Sequence, residues 1–165
     1  RLRCALTSGD ISLYRLPQLL LQKFPAERFD VQTAVDPMFS QDGDEAGIAI
    51  YGQRFAALCV TYRAANLQLA LCHGWIDDRG ETHQQSIGLE EVSGCKEIEL
   101  GFQVDYDGVV HFRYRLAQRE WRQVTPQFSA GAGKWIGARM GIYARGEREN
   151  VKGSAIFSPF IVRLQ

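Results

Sequence analysis

The chain has 165 residues, and its 19 lysines and arginines balance its 19 aspartates and glutamates. This neutral balance gives the chain no electrostatic reason to bind nucleic acid or an anionic membrane, so we expect neither partner. No apolar run approaches the ~20 residues of a membrane-spanning helix. The length predicts one domain, over residues 1–165, that buries roughly two-thirds of the surface of its unfolded chain.

The first 24 residues allow two interpretations. Leu13, Leu16 and Leu20 have helical spacing, although Pro17 interrupts it, and Leu19–Leu21 fits a short buried strand equally well. The chain also begins in a strand-like segment without an initiator methionine. We therefore expect it to be a fragment of a longer polypeptide.

The next segments alternate apolar and polar residues with the period of a β-strand. One strand is predicted from Phe29 to Val35, ended by Asp36-Pro37. Short connections then predict an antiparallel meander over 46–51, 55–63 and 67–71. Residues 76–96 are polar, and we interpret them as a loop with a short strand near 85–89.

The clearest hairpin joins two alternating segments through Asp107-Gly108, a dipeptide that favours a type I′ turn. Tyr106 continues the apolar alternation of the first strand. The return strand ends near Leu116, and Trp121 and Val124 belong to its successor.

Residues 133–144 predict a strand whose even positions are apolar and whose other face carries two glycines. Glycine within a strand often marks the close approach of another backbone or a ligand. A last strand is predicted over 155–164, interrupted by Pro159 at an edge or bulge. About ten strands and no long helix predict an all-β fold, an antiparallel β-sandwich.

The four cysteines form no CxxC pair, which argues against a zinc ribbon or a thioredoxin-type site. Cys59 and Cys72 lie among strand-forming residues, so we expect buried free thiols in a reducing compartment. A Cys59–Cys72 disulfide is the alternative.

Other polar groups do not predict a catalytic centre, a metal site or a cofactor. Asp42-Gly43-Asp44-Glu45 has too few oxygen ligands for a calcium loop, so we interpret it as a hairpin turn. The three histidines share no metal-ligand spacing, and His111 is expected on a solvated strand face. We assign no pair of acids as catalytic residues.

The tryptophans are better candidates for binding, because apolar sugar faces stack on aromatic rings. Core packing is the expected role of Trp121, whereas Trp75 is a binding candidate. Trp135 follows a glycine and a lysine in a turn from which its ring could project, so core packing and sugar binding stay open for it.

Four ordered segments resemble one family. They are Leu19–Phe29, Gly43–Ile48, Gly133–Ala138 and Gly153–Phe157. Together they are similar to the C-terminal concanavalin A-like domain of family 43 glycoside hydrolases of the β-xylosidase type. The resemblance implies a jelly-roll type sandwich that packs on a five-bladed catalytic propeller of the same polypeptide, which holds the catalytic acid and base. It also implies that Trp135, matched along a Gly-x-aromatic-x-Gly pattern, helps wall the pocket for a xylo-oligosaccharide or related sugar.

The last strand departs from the family pattern Ala-Asp-Phe-Asp-Trp-Phe, because this chain has Ala155-Ile156-Phe157-Ser158-Pro159-Phe160. Three hypotheses follow. The first is an accessory domain, silent alone, of a β-xylosidase or α-arabinofuranosidase-like hydrolase in the bacterial cytoplasm. The second is a free-standing carbohydrate-binding module or lectin that uses Trp75 or Trp135. The third is a structural domain that could form a homo-oligomer.

Overall fold

A computed structural model describes residues 1–6, 18–132, 137–147 and 152–165. These residues form two β-sheets of eight and seven strands. The strands are β1 (Leu2–Arg3), β2 (Ala5–Leu6), β3 (Leu19–Lys23), β4 (Phe29–Met38), β5 (Glu45–Tyr51), β6 (Arg54–Arg63), β7 (Asn66–Ile76), β8 (Thr82–Glu91), β9 (Ile98–Val104), β10 (Val109–Leu116), β11 (Arg122–Gln123), β12 (Phe128–Ser129), β13 (Arg139–Gly146), β14 (Ser154–Phe157) and β15 (Ile161–Leu164). In the described part of the chain, no helix is long and apolar enough to cross a membrane.

The eight-stranded sheet has the order β1-β14-β4-β9-β10-β11, with β15 beside β4 and β12 beside β10. The seven-stranded sheet has the order β2-β13-β5-β6-β7-β8, with β3 beside β13. All pairings are antiparallel except that of β2 with β13. The predicted all-β sandwich is thus confirmed.

The main core lies between the two sheets, where alternate residues of both point inward. Phe29, Phe102 and Phe112 form consecutive edge-to-face contacts at its centre, with ring centroids 6.3 and 5.8 Å apart. Met140 and Ala144 of β13 also belong to this core, which agrees with the predicted apolar face of that strand.

A second buried cluster covers the opposite face of the seven-stranded sheet. It contains small residues of β5, β6 and β7 together with Phe55 and Tyr143. Cys59 and Cys72 belong to it as buried free thiols, as predicted. Burial raises the pKa of the Cys72 thiol to about 12, so it stays protonated near neutral pH.

Within the described residues, the strand predicted over 133–144 begins only at Arg139, so Gly141 lies in β13 and Gly137 does not. A Cβ at Gly141 would lie 1.8 Å from the backbone oxygen of Leu20, so this glycine lets β3 approach β13. Gly137 has open space around its Cβ position. The N-terminal ambiguity is also decided for residues 19–23, which form a strand.

Several predicted strand bounds were wrong, including the end predicted at 71 for β7, which continues to Ile76. Strand β4 continues through Pro37 to Met38, because β9 pairs with β4 only as far as Val35 and a proline is tolerated where one side of a strand has no ladder. Strand β8 has ten residues rather than about five. It is a largely exposed edge strand, so it lacks the apolar alternation that reveals a half-buried strand.

The divergent last segment is split into β14 and β15, and both pair with β4. Pro159 lies between them, as the predicted interruption requires. Thr33 Oγ1 donates a hydrogen bond to the Ser158 carbonyl oxygen at 2.9 Å, which fixes the break on β4.

Candidate functional site

Several loops meet at one end of the sandwich, which we call the rim. They are residues 24–28, 52–53, 77–81, 105–108, 130–132 and 137–138. Antiparallel pairing places these loops at the same end of the strands. Four strands end there, β3, β5, β7 and β9, and five begin there, β4, β6, β8, β10 and β13.

The segment 130–132 joins the two sheets at the rim. The Ala130 N–H donates to the Gly108 carbonyl at 2.9 Å, and the Gln53 N–H donates to the Ala132 carbonyl at 3.2 Å. A Cβ at Gly52 would lie 2.1 Å from the Gly131 oxygen, so glycine is required for this close approach. The chain that leads toward Trp135 is thereby held on both sheets.

An open cleft of about 610 Å³ lies on the rim. Its walls include Lys23, Glu27 and Tyr106, and it extends to Gly137 and Ala138. Trp135, the residue predicted to contact sugar, lies outside the described residues.

Tyr106 is a rim residue that the sequence analysis missed. Its alternation with Phe102 and Val104 predicted a core-facing position, but β9 ends at Val104 and the Tyr106 side chain is 67% exposed. The Arg28 guanidinium lies 5.9 Å from its ring centroid. The Asp107-Gly108 turn signal was the clue, because a residue beside a turn need not follow the face of its strand.

Trp75 lies on another part of the rim, at the end of β7. Its side chain is 42% exposed, and its ring is stacked on that of His83 with centroids 5.1 Å apart and planes at 19°. The exposure agrees with the interpretation of Trp75 as a binding candidate. One face of its ring is covered by the imidazole.

Asp77, Glu81 and His83 lie together beside Trp75. Their ligand atoms are all within 4.8 Å of one another, although the sequence analysis found no metal-ligand spacing among the histidines. His83 Nε2–H donates to Asp77 Oδ2 at 2.9 Å, and this bond is the main reason why the pKa of Asp77 lies below its ordinary value. The sequence comparison considered the histidines only with each other, so it did not consider His83 together with the acids of its own turn.

His111 is less solvated than predicted. Its Nε2–H donates to Asp105 Oδ2 at 2.8 Å, and the Asp105 carbonyl also accepts the Gly108 N–H at 2.8 Å. This second His–Asp pair also lies on the rim, at the β9–β10 hairpin.

The prediction of core packing for Trp121 was wrong. Trp121 lies on the outer face of the eight-stranded sheet, where the Arg113 and Arg115 guanidinium groups are 4.6 and 4.9 Å from its ring centroid. Each arginine also pairs with an acid, Asp30 or Glu99. The sequence could not show this, because the residues next to a tryptophan in the chain do not reveal which face of the sheet its ring covers.

The Asp42-Gly43 turn joins β4 of the eight-stranded sheet to β5 of the seven-stranded sheet, so it is a turn between sheets and the predicted hairpin was wrong. Asp44 Oδ2 accepts the Ser40 and Gln41 N–H groups at 2.8 and 3.2 Å. Glu45 turns to the other side, where Tyr143 Oη donates to its Oε1 at 2.5 Å and Arg145 pairs with it at 3.0 Å. The two carboxylates therefore serve internal contacts.

Residues 1–163 match the family described as the β-xylosidase C-terminal concanavalin A-like domain. The chain belongs to this family. The resemblance found from the sequence segments is thus confirmed, and the chain is a C-terminal domain of the glycoside hydrolase family 43 (GH43) type. No curated protein matches it.

Solved structures share the fold of this GH43 C-terminal domain. An engineered GH43 glycoside hydrolase that displays both endo-xylanase and exo-arabinofuranosidase activity is 17% identical, with a TM-score of 0.84 over 99% of this chain and 34% of its own. The bifunctional GH43-CE protein of Bacteroides eggerthii is 16% identical, with a TM-score of 0.79 over 99% of this chain and 21% of its own. Xylan β-1,4-xylosidase from Bacillus halodurans C-125 is 16% identical, with a TM-score of 0.75 over 98% of this chain and 32% of its own. The chain thus spans about a third or less of these proteins.

Proposed function

We propose that this chain is the accessory domain of a β-xylosidase or α-arabinofuranosidase-like glycoside hydrolase, packs on its catalytic propeller and helps to close the sugar pocket. The carrying observation is the family match over residues 1–163. The short share of each related structure that the chain spans supports a second domain as its partner. Hydrolysis of the glycosidic bond then takes place on the propeller.

The rim is the surface that we assign to the sugar pocket. It carries exposed aromatic rings and a cleft with both a cation and an acid in its walls, Lys23 and Glu27. Flat rings contact the apolar faces of sugars, and charged groups bind their hydroxyls. Such a surface can add binding contacts to an active site without supplying an acid or base.

Trp135 is the residue that we expect to contact substrate. Only Ile136 separates it from Gly137, which lines the cleft. The described residues on either side of it in the chain, 130–132 and 137–138, belong to the rim, which supports this assignment. Its ring would close the end of the pocket and favour cleavage of terminal sugars.

Aryl β-xyloside turnover tests the proposal. The 165-residue chain alone should give no turnover, whereas the longer polypeptide that includes the propeller should be active. Deletion of residues 1–165 from that polypeptide should impair activity on xylobiose. Turnover by the chain alone that is lost on mutating one of its own acids would refute the accessory role.

A second candidate is a carbohydrate-binding module, favoured by the exposure of Trp75. It predicts saturable binding of the isolated chain to xylan that is lost in Trp75→Ala and kept in Trp121→Ala. If the isolated chain does not bind xylan, this candidate is excluded and the accessory role is unaffected.

A further inference from the structure

The tip of the β7–β8 hairpin brings one imidazole and two carboxylates together. Trp75 pairs with His83 and Ile76 with Thr82 in the strand register, so the five-residue turn 77–81 closes directly above them. The Asp77 N–H donates to the Glu81 carbonyl at 3.0 Å, and Gly80 supplies a φ of +82°. The side chains of Asp77, Glu81 and His83 therefore converge.

The side chains of this cluster are held in orientation. Asp77 Oδ1 accepts the Arg79 and Glu81 N–H groups, both at 2.9 Å, which leaves Oδ2 to face His83 Nε2 at 2.9 Å. The imidazole is fixed by its stacking on Trp75. Asp77 is thus oriented through Oδ1 and His83 through its ring face, which leaves Asp77 Oδ2 and His83 Nε2 directed at each other.

The donor set suits a transition metal. Two carboxylates balance a divalent charge, and the imidazole nitrogen favours Zn²⁺, Ni²⁺ or Cu²⁺ over Ca²⁺ and Mg²⁺. In a tetrahedral zinc site, ligand atoms at about 2.0–2.2 Å from the metal lie about 3.3–3.6 Å apart. The ligand atoms here lie within 4.8 Å, and the exposed Glu81 side chain can rotate to close the difference.

We propose that Asp77, Glu81 and His83 bind a divalent transition-metal ion of the Zn²⁺ type. The ion takes the place of the proton on His83 Nε2, which passes to solvent, and water completes its coordination. The bound ion cross-links the turn to β8 at the rim. This inference rests on the hairpin alone and does not depend on the proposed hydrolase function.

Calorimetric titration of the full 165-residue chain, prepared without a histidine tag, with Zn²⁺ tests the site. We expect saturable binding of one ion per chain. Loss of a group that merely orients a ligand costs about 10–100-fold in metal affinity, so His83→Gln and Glu81→Gln should each weaken binding by at least about tenfold. Glu81→Gln retains the fold, because Glu81 holds the turn through its backbone N–H and carbonyl.

Two matched variants locate the ion. His111→Gln removes a similar His–Asp pair on the same rim, and Cys95→Ser removes the thiol that is only partly buried. Both should bind Zn²⁺ like the parent chain. The proposal is overturned if the parent shows no saturable binding, if Glu81→Gln and His83→Gln bind with parental affinity, or if a control variant loses binding.

Discussion

Glu45 is the common partner of two buried polar side chains in the seven-stranded sheet, Tyr143 and Arg145. Its side chain and that of Arg145 are each 7% exposed, and the guanidinium Nε lies 3.0 Å from its Oε1. Tyr143 Oη donates to the same carboxylate. Burial, together with the nearby thiol of Cys59 and the carboxylate, raises the pKa of Tyr143, which keeps this hydroxyl a donor.

We expect Glu45→Ala to lower the free energy of unfolding by about 3–5 kcal/mol, because the buried Arg145 charge would lose the carboxylate that offsets it. Tyr143→Phe should cost about 1.5–3 kcal/mol, the range for a hydrogen bond to a charged group. Urea unfolding measures both values.

The surface pair of Arg63 and Glu147 is the control, since its side chains are 56% and 35% exposed. Glu147→Ala should cost at most about 1 kcal/mol. An equal cost for Glu45→Ala and Glu147→Ala would contradict the buried role of Glu45.

At the scale of elements, β13 connects the short N-terminal strands to the rest of its sheet. It pairs with β5 over seven residues and with β3 over five on its other side. Gly141 takes part in both pairings, opposite Ala49 of β5 and Leu21 of β3. The approach of β3 depends on the missing side chain there.

Gly141→Ala should destabilise the domain by at least about 1–3 kcal/mol, the cost of forcing extra volume into a packed position. The added Cβ would meet the Leu20 carbonyl oxygen, which belongs to backbone and cannot rotate away. Thermal unfolding against Gly88→Ala measures the effect. Gly88 lies on the exposed strand β8 with open space around it, so this control should be nearly neutral. A loss of stability in Gly88→Ala as large as that in Gly141→Ala would contradict the role of the β3 contact.

The accuracy of the sequence prediction follows the burial of each element. The β9–β10 hairpin was predicted closely because one face is buried, which imposes alternation, and Asp107-Gly108 marks the turn. Strand β8 was underestimated because an exposed edge strand needs no apolar face. Tyr106 was assigned to the core because the pattern continues by chance for one residue past the strand.

At the scale of the whole molecule, the rim gathers residues that are far apart in the chain. Trp75, Tyr106 and the segment next to Trp135 meet there because antiparallel strands return their loops to one end. Sequence reasoning identified Trp75 from its residue type and Trp135 from a family resemblance. It could not group them, since which strands are neighbours is decided by pairing and not by local pattern.

The Asp77–Glu81–His83 cluster shows the same limit at shorter range. Its three members lie within seven residues, yet their convergence depends on the register Trp75 to His83. A register shift of one residue would turn His83 to the other face of the sheet. The sequence therefore shows the three candidate ligands, but it does not show that their side chains converge.

The central claim is that the rim of this domain, through Trp135, forms part of a sugar pocket in a larger hydrolase. The most direct measurement is kcat/KM on xylobiose for Trp135→Ala in the polypeptide that includes the propeller, with Trp121→Ala on the outer sheet face as control. We expect a fall of about fivefold to tenfold for Trp135→Ala, equal to ~1–1.4 kcal/mol of lost ring contact, and no change for Trp121→Ala. Parental kinetics in Trp135→Ala, or equal losses in both variants, would contradict the account.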